Sequence, residues 1–245
     1  MSTQSKIEWT EQTWNPVTGC TKISPGCKHC YAEIMARRLT AMGAPGYENG
    51  FEISLMPDRL EQPLKRKKPT VYFVNSMSDL FHEEVPYSFI NKVMATISKT
   101  PQHTYQILTK RAERMADYFE NKVIPKNAWL GVSVEDKKYG LPRVEHLRRI
   151  NAHVRFLSIE PLLEDVGKIN LRDIHWVIVG GESGAKARPM KPEWVESIQQ
   201  QCETQNVAFF FKQWGRWGAD GQKRSKHHNG REFLGKTWDA MPISL

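Results

Sequence analysis

Three cysteines fall within eleven residues near the start of the chain. Cys20, Cys27 and Cys30 form a C-x6-C-x2-C pattern, and Cys202 lies far away in a helical stretch, where we expect an ordinary buried thiol. In a reducing compartment such a cluster indicates metal binding or redox chemistry rather than disulfide bonds. A structural zinc site normally has four ligands, and His29 would have to supply the fourth from within a crowded loop. Three thiolates suit instead an iron–sulfur cluster that leaves one iron open to an outside ligand.

Polar or glycine-rich residues follow six apolar runs at the point where each run ends. These tails are Asn75–Asp79, Thr109–Arg111, Ser133–Asp136, Ser158–Pro161, Gly180–Ser183 and Lys212–Trp214. In parallel α/β folds the ligand site lies at the carboxyl ends of the strands. The cysteine triplet directly follows the first predicted strand. We therefore expect the six tails and the three thiols to share one rim.

The elements that must hold this rim are short β-branched or aromatic runs and the amphipathic stretches between them. Apolar runs without polar alternation suit strands buried on both faces, as in a parallel sheet. The predicted strands are Thr13–Gly19, Val71–Val74, Thr104–Leu108, Trp129–Val134, Val154–Ile159, Trp176–Val179 and Val207–Phe211. The predicted helices are Tyr31–Met42, Tyr87–Lys99, Ala112–Asn121, Lys138–Ile150 and Glu193–Gln205.

This order of elements predicts an α/β fold with a partial (β/α) barrel, and an open doubly wound sheet is the alternative. We assign residues 1–218 to a single barrel domain and residues 219–245 to a basic, aromatic C-terminal tail packed on it. Residues 43–69, which are rich in Gly and Pro, form a long irregular insertion after the first helix.

The composition is that of a globular protein. The 245 residues are 40% hydrophobic and 25% charged, which excludes a disordered or disulfide-dense chain. No stretch approaches the roughly 20 apolar residues of a membrane helix. The first residues show no apolar signal segment behind a basic end, so we expect a cytoplasmic protein. The net charge of +8 fits a polyanionic partner and equally a basic surface that confers solubility.

Two basic tracts add to this charge. Lys65–Lys68 is predicted to be a solvated loop. The segment Lys212–Lys236 combines seven Lys or Arg side chains with Trp214, Trp217 and Phe233. Cations interleaved with aromatic rings suit phosphate contact and base stacking. A tail whose aromatic rings anchor it to the barrel fits the same pattern equally well.

The segment GCTKISPGCKHCY after the first strand resembles the cluster-binding segment of the radical S-adenosylmethionine (SAM) superfamily. From about Ile7 to Gly218 the chain is more narrowly similar to a phage and bacterial family within or beside that superfamily, whose members are described as phage proteins of unknown function. The matching stretches are WNPVTGC (Trp14–Cys20), VNSMSDLFHEEVP (Val74–Pro86), QILTKRAERM (Gln106–Met115), WLGVSVE, RFLSIEPLL, VIVGGESG with ARPM, and FFFKQWG.

The resemblance implies a cluster and a cofactor. Cys20, Cys27 and Cys30 would hold a [4Fe–4S] cluster whose open iron chelates SAM, and one electron from an external reductant would release a 5′-deoxyadenosyl radical. The first gap holds six residues, whereas the superfamily pattern has three. His29 stands where an aromatic residue usually packs near the adenine.

The needs of the cofactor select residues on the rim. The ammonium group of SAM requires hydrogen-bond acceptors, its carboxylate requires cations, and its ribose requires carboxylates or hydroxyls. Candidate SAM-binding residues are His29, Ser76, Ser78, Asp79, Lys110, Ser133, Glu135, Glu160, Gly180, Gly181 and Glu182. Candidate substrate-binding residues are Arg111, Lys212 and Trp214, and Arg111 is also a candidate for the SAM carboxylate. No residue is singled out as catalytic.

These observations favour a radical SAM enzyme that acts on a large anionic substrate, with DNA or RNA modification or repair as the first hypothesis. A non-catalytic zinc or iron–sulfur protein that contacts nucleic acid or a protein partner is the alternative. Radical modification of a protein or peptide is a third. The segment from His82 to Pro86 does not form a zinc-protease motif, because Pro86 occupies the place of the second His.

Overall fold

Seven parallel strands form the main sheet of the protein, whose structure is a computed structural model that describes residue 5 and residues 7–242. In chain order the strands are β1 (Gln12–Trp14), β2 (Val17–Thr18), β3 (Ser54–Leu55), β4 (Val71–Val74), β5 (Thr104–Thr109), β6 (Ala128–Ser133), β7 (Val154–Ile159), β8 (Trp176–Gly180) and β9 (Ala208–Gln213). The helices are α1 (Tyr31–Ala41), α2 (Tyr87–Ser98), α3 (Ala112–Phe119), α4 (Leu141–Arg148), α5 (Pro192–Thr204) and α6 (Lys226–Asn229).

The order of the strands is that of a barrel. The sheet runs β1-β4-β5-β6-β7-β8-β9, and every neighbouring pair is parallel. Each connection therefore leads to the adjacent strand, whereas a doubly wound sheet reverses its order at a switch point. The sheet curls into a half-barrel with β1 and β9 as its two edges. The predicted partial (β/α) barrel is confirmed, and the doubly wound alternative is wrong.

Alternate residues of each strand face the two sides of the sheet. On β6, Leu130 and Val132 belong to the large core between the sheet and the helices. Trp129 faces the concave side, where it joins a second apolar cluster. Burial on both sides explains why the strands read as unbroken apolar runs.

Aromatic rings fill the concave side in the amino-terminal part of the strands. The cluster consists of Trp9, Phe73, Trp129, Val154, Phe156, Trp176, Ile178 and Phe210. Gly131 makes room for one of them, because a Cβ atom there would lie 2.5 Å from the Phe156 ring. A ligand must therefore bind towards the carboxyl ends of the strands, where the concave residues become polar.

The first predicted strand, Thr13–Gly19, is two strands in the structure. β1 joins the main sheet, whereas β2 pairs antiparallel with β3 from the insertion. Apart from single 3-10 turns at Pro57–Arg59 and Pro63–Lys65, the rest of the insertion is irregular, as predicted. The insertion supports the chain just before the cysteines. A Cβ atom on Gly19 would lie 2.0 Å from the Glu52 carbonyl oxygen, and the Cys20 amide donates to the Phe51 carbonyl at 3.1 Å.

The other boundaries lie close to the predicted ones. β4 and β7 agree residue for residue, whereas α4 begins at Leu141 rather than at residue 138. Within the described residues, the connection between β7 and β8 contains no helix.

The chain after residue 218 contacts the edge of the sheet formed by β9. The Phe211 amide donates to the Trp238 carbonyl at 2.9 Å, and Phe210 pairs with Asp239 in an antiparallel bridge. Phe233 is buried in the main core and Trp238 packs against it. These contacts favour anchoring over base stacking as the use of the aromatic rings in this segment. The division into domains at residue 218 stays a prediction.

The structure also bears on the membrane prediction. In the part of the chain that the structure describes, no helix is both long and apolar enough to cross a bilayer.

Candidate functional site

The carboxyl ends of the parallel strands meet at one edge of the half-barrel, which we call the mouth. Two contacts between strand ends, one between neighbours and one across β8, show the convergence. Lys110 Nζ, after β5, lies 3.0 Å from Ser133 Oγ on β6. Lys212 Nζ on β9 lies 2.9 Å from the Glu160 carboxylate after β7. The predicted rim residues on these four elements are therefore together.

The cysteine segment, residues 20–30, joins this mouth from the side of β1. It follows β2, makes a single 3-10 turn at Pro25–Cys27, and ends at Cys30, which caps the amino end of α1. The three thiols of Cys20, Cys27 and Cys30 are half-buried. Cys202 lies on the buried face of α5 and is fully buried in the core, as expected for an ordinary thiol.

Arg111 links the cysteine segment to the strand ends. Its guanidinium Nη1 lies 3.7 Å from Cys20 Sγ, and Nη2 donates to Thr21 Oγ1 at 2.9 Å. The same side chain forms ion pairs with Asp79 at 3.3 Å and with Glu83 at 2.9 Å. Its predicted contact with substrate stays a prediction. The structure gives Arg111 a buried position in which it holds Cys20.

The environment of Cys20 favours the neutral thiol. Burial, with a smaller contribution from the Asp79 carboxylate, raises the pKa of Cys20 to about 11, although Arg111 acts in the opposite direction. Metal binding to this side chain therefore requires release of a proton at neutral pH.

Glu135 supports the middle of the cysteine segment from below. Its carboxylate, fully buried, accepts hydrogen bonds from Ser24 and from Arg143, the latter at 2.6 Å. Burial opposes ionisation of Glu135, but the charges of Lys110 and Arg143 and these hydrogen bonds hold its pKa below the ordinary value. A Cβ atom on Gly26 would lie 2.9 Å from this carboxylate. The segment thus rests directly on Glu135, which was predicted to contact a ribose.

A third support comes from the loop after β8. Glu182 forms an ion pair with Arg188, whose Nη2 also donates to the Pro25 carbonyl at 3.0 Å. Arg111, Glu135 and Arg188 therefore hold the cysteine segment at three separate points. Ser24, Arg143 and Arg188 were not singled out from the sequence, because no pattern along the chain shows which loops their side chains join.

The polar residues after β4 mainly form hydrogen bonds with other parts of the protein. Asp79 accepts from Thr109 Oγ1 at 2.7 Å and from the Lys110 amide at 3.1 Å. Ser78 donates to the Val17 carbonyl at 2.7 Å, and Ser76 to Asn15 Oδ1 at 3.2 Å. Of these three candidates for the SAM ammonium, Asp79 has the most partners within the protein, since its carboxylate also pairs with Arg111.

The pair of glycines after β8 allows two close approaches. A Cβ atom on Gly181 would lie 2.2 Å from the Trp214 carbonyl oxygen, and one on Gly180 would lie 3.2 Å from Glu160. Gly180 thus faces a side chain of the mouth, whereas Gly181 faces the backbone. The Trp214 ring packs against Phe211 and Phe233 inside the core, so the structure does not bring it to the mouth.

Tyr31 belongs to the mouth although the sequence analysis did not single it out. The signal was present, since Tyr31 directly follows Cys30. Its hydroxyl donates to the Ser76 carbonyl, and burial of that end of the side chain, opposed by this hydrogen bond, raises the pKa of the phenol. The rest of the residue is exposed. His29 lies half-buried beside it in the segment.

The cysteine segment offers three thiols as metal ligands. Within residues 5 and 7–242, no three His, Cys, Asp or Glu side chains are arranged to hold a single metal ion. A cubane cluster distributes its ligands over several iron atoms, so its thiolates stand further apart than the ligands of one zinc ion. Three half-buried thiols at the mouth, each on a different part of the segment, fit the chemistry of such a cluster.

A basic cavity of about 290 Å³ lies beside the mouth, between the first turns of α3 and α4. The cations of its lining are Lys110, Arg111, Arg114 and Arg143, and Glu83 and Glu113 are its acidic residues. His146 also lines the cavity. Glu83 and the buried Glu135 already engage Arg111 and Arg143. The lining thus has four Lys or Arg side chains against two carboxylates, one of which is Glu113. Among the described ion pairs, none involves Lys110 or Arg114.

The sequence of residues 4–242 matches the profile of a protein family of unknown function, DUF5131. The chain belongs to the DUF5131 family. No curated protein matches this DUF5131 chain.

Solved structures similar to this DUF5131 protein show the kind of fold. Spore photoproduct lyase complexed with dinucleoside spore photoproduct matches with a TM-score of 0.51 and 14% identity. A double mutant of the same lyase, with bound AdoMet and dinucleoside spore photoproduct, gives the same values. Each match covers 82% of this chain and 63% of the lyase, so the chain spans less than two thirds of that protein. The half-barrel is similar to that of spore photoproduct lyase.

Proposed function

We propose that this DUF5131 protein is a radical SAM enzyme whose [4Fe–4S] cluster is held by Cys20, Cys27 and Cys30. The observation that carries the proposal is the position of these thiols. They lie on the segment after the first strands of a half-barrel, at the carboxyl edge of the sheet. The likeness of the fold to a lyase structure that contains AdoMet supports the same conclusion.

The bound cluster and SAM would supply a 5′-deoxyadenosyl radical after one-electron reduction. The chain's own residues would position the reactants. Arg111, Glu135 and Arg188 fix the segment that carries the thiols. Lys110 is the candidate cation for the SAM carboxylate, while Ser133 and Glu160 are candidates for its ribose. Glu160 and its partner Lys212 remain partly accessible in the mouth, so both can exchange partners when a ligand enters.

Nucleic acid is the substrate class that we propose, for modification or repair. The net charge is +8, and the basic cavity opens beside the mouth, where a phosphodiester would lie close to the reactive centre. The lyase of similar fold was solved with a dinucleoside spore photoproduct. A cytoplasmic location belongs to the same proposal, because free thiols and iron–sulfur clusters persist in reducing compartments. We also propose that the protein belongs to a lineage that occurs in phages and bacteria.

The test is anaerobic reconstitution with iron and sulfide, followed by dithionite and SAM with and without oligonucleotides. We expect a brown protein that forms 5′-deoxyadenosine. Cys27→Ala should lose the cluster and all cleavage of SAM, whereas Cys202→Ala should keep both, since Cys202 is remote from the segment.

Three results would contradict the proposal. Full SAM cleavage by Cys27→Ala would show that the segment holds no catalytic cluster. A colourless protein that binds zinc in place of iron would favour a non-catalytic binding protein instead. A complete cluster that forms no 5′-deoxyadenosine with any nucleic acid tested would make the cluster structural.

A further inference from the structure

The outer face of α1 is apolar although it is exposed to solvent. Tyr31, Ile34, Met35 and Met42 are all exposed, and Met42 exposes 77% of its surface. At 3.6 residues per turn these four side chains fall on one face of the helix and its carboxyl-terminal residue. Ile23, in the cysteine segment, is also exposed. Together these five residues form what we call the α1 face.

Cations surround and cross the α1 face. Residues 20–42 contain four Lys or Arg side chains and a single carboxylate. Lys22 and Arg37 share that carboxylate, Glu33, at 2.7 and 2.9 Å. Lys28 and Arg38 are exposed, and Arg38 lies in the middle of the apolar face. The face therefore combines apolar contact area with a net positive charge.

The composition of the α1 face fits a protein partner. Cores of protein–protein interfaces are enriched in aromatic residues, Met and Arg, and these types make up most of this face. Nucleic-acid contacts are instead dominated by cations directed at phosphates, and the basic cavity beside α3 and α4 fits that description better. The few side chains available match the small interfaces of electron-transfer encounters. The positive charge selects a partner with an acidic surface.

We infer that the α1 face docks an acidic one-electron carrier protein, such as a flavodoxin, that reduces the cluster. The inference rests on the proposed function. α1 begins at Tyr31, directly after Cys30, so a protein seated on this face would lie beside the cysteine segment. In the transfer, the carrier's reduced flavin loses one electron and the cluster gains it.

Reduction of the reconstituted protein by a photoreduced flavodoxin, followed in a stopped-flow instrument, tests this inference. Arg38→Glu reverses the central charge, and Met35→Ser removes apolar contact. Each should lower the second-order rate constant about tenfold at low ionic strength, and for Arg38→Glu the difference should shrink as salt rises. Arg149→Glu reverses an exposed charge at the end of α4 and should leave the rate unchanged. Reduction by dithionite should be the same in all four proteins.

Each outcome decides one question. Equal flavodoxin rates for wild type, Arg38→Glu and Met35→Ser would overturn the docking site, as would an equal loss in Arg149→Glu. If Arg38→Glu weakens binding of a labelled oligonucleotide but leaves flavodoxin reduction unchanged, the face belongs to nucleic acid. If no cluster forms, the proposed function fails by itself. Titration of oxidised flavodoxin with the same variants then decides the docking site separately.

Discussion

Arg111 and Cys20 are 91 positions apart in sequence, yet the guanidinium Nη1 of Arg111 lies 3.7 Å from the thiol sulfur. The contact ties the start of the cysteine segment to the end of β5. It is fixed by Asp79 and Glu83, which pair with the same guanidinium. The position of the first thiol therefore depends on a charge cluster after β4 and β5 in which Arg111 and Asp79 are buried.

Replacement of Arg111 by Met should destabilise the fold. The side chains of Arg111 and Asp79 are only 4% and 8% exposed, so the substitution leaves a buried carboxylate without its cation. Breaking such a pair from one side costs about 3 kcal/mol. The free energy of unfolding of the cluster-free protein, measured with urea, should fall by this amount.

The matched control is Arg149→Met, which removes an exposed arginine and should change stability by no more than about 0.5 kcal/mol. Adding Asp79→Asn to Arg111→Met should recover part of the loss, because the uncompensated charge is then removed. A loss below about 1 kcal/mol for Arg111→Met would mean that the buried pair is not what fixes this position.

Gly26→Ala should impair assembly of the cluster. The added methyl group would lie 2.9 Å from the Glu135 carboxylate, which cannot move away without leaving Arg143. The cysteine segment must then shift, and Cys27 next to it shifts as well. Gly184→Ala is the control, since a Cβ atom there meets no other atom within 4 Å. Iron per chain after reconstitution should fall clearly in the first variant and stay at the wild-type value in the second. Equal iron in both would show that the contact between Gly26 and Glu135 is adaptable.

The four cysteines should react with iodoacetamide in a defined order. The thiolate is the reactive form, and a pKa of about 11 leaves Cys20 about one thousandth ionised at pH 8. Cys202 has a pKa raised to about 12 by burial, and it is enclosed in the core. Cys27 and Cys30 should therefore be labelled first, Cys20 more slowly, and Cys202 only after unfolding. Peptide mass spectrometry of a time course measures this, and early labelling of Cys202 would contradict its place in the core.

Much of the fold follows from the sequence because its strands are buried on both faces. Unbroken runs such as Val71–Val74 and Val154–Ile159 have boundaries set by the end of the apolar residues. The first strand was predicted less well, since Pro16 interrupts it and the chain continues as β2 in a second sheet. That pairing depends on Ser54 and Leu55 in the insertion, which carry no strand pattern of their own.

The candidate site was predictable in its location rather than in its contacts. Parallel strands bring their carboxyl ends together, so the polar tails at Lys110, Ser133, Glu160 and Lys212 meet as expected. The role of Glu135 was not predictable, because its partners Ser24 and Arg143 lie 111 and 8 residues away on different elements. Sequence patterns locate the strand ends, but side-chain pairing between loops follows only from the packed structure.

Gly131→Ala should destabilise the half-barrel from its concave side. The new methyl group would lie 2.5 Å from the Phe156 ring, within a cluster of rings that has no room to yield. Overpacking of this kind costs about 2 kcal/mol. Urea unfolding should show the loss, and Gly184→Ala serves again as the control with open space around the added atom. An unchanged stability would show that the concave side is loosely filled and that ligands can reach deeper than the mouth.

Arg114→Gln should weaken nucleic-acid binding in a way that does not depend on base sequence. Arg114 lines the basic cavity and its side chain lies over the Tyr87 ring, 4.5 Å from the ring centroid, so its charge is held in place at the surface. A cation that contacts phosphate contributes about one unit to the slope of log K against log salt concentration. Titrations of a labelled oligonucleotide at several salt concentrations should show that slope reduced by about one in Arg114→Gln and unchanged in Arg149→Gln. An equal reduction in both variants would mean that binding follows the overall charge of the chain. No reduction in Arg114→Gln would place the nucleic acid elsewhere on the protein and leave the cavity to another anion.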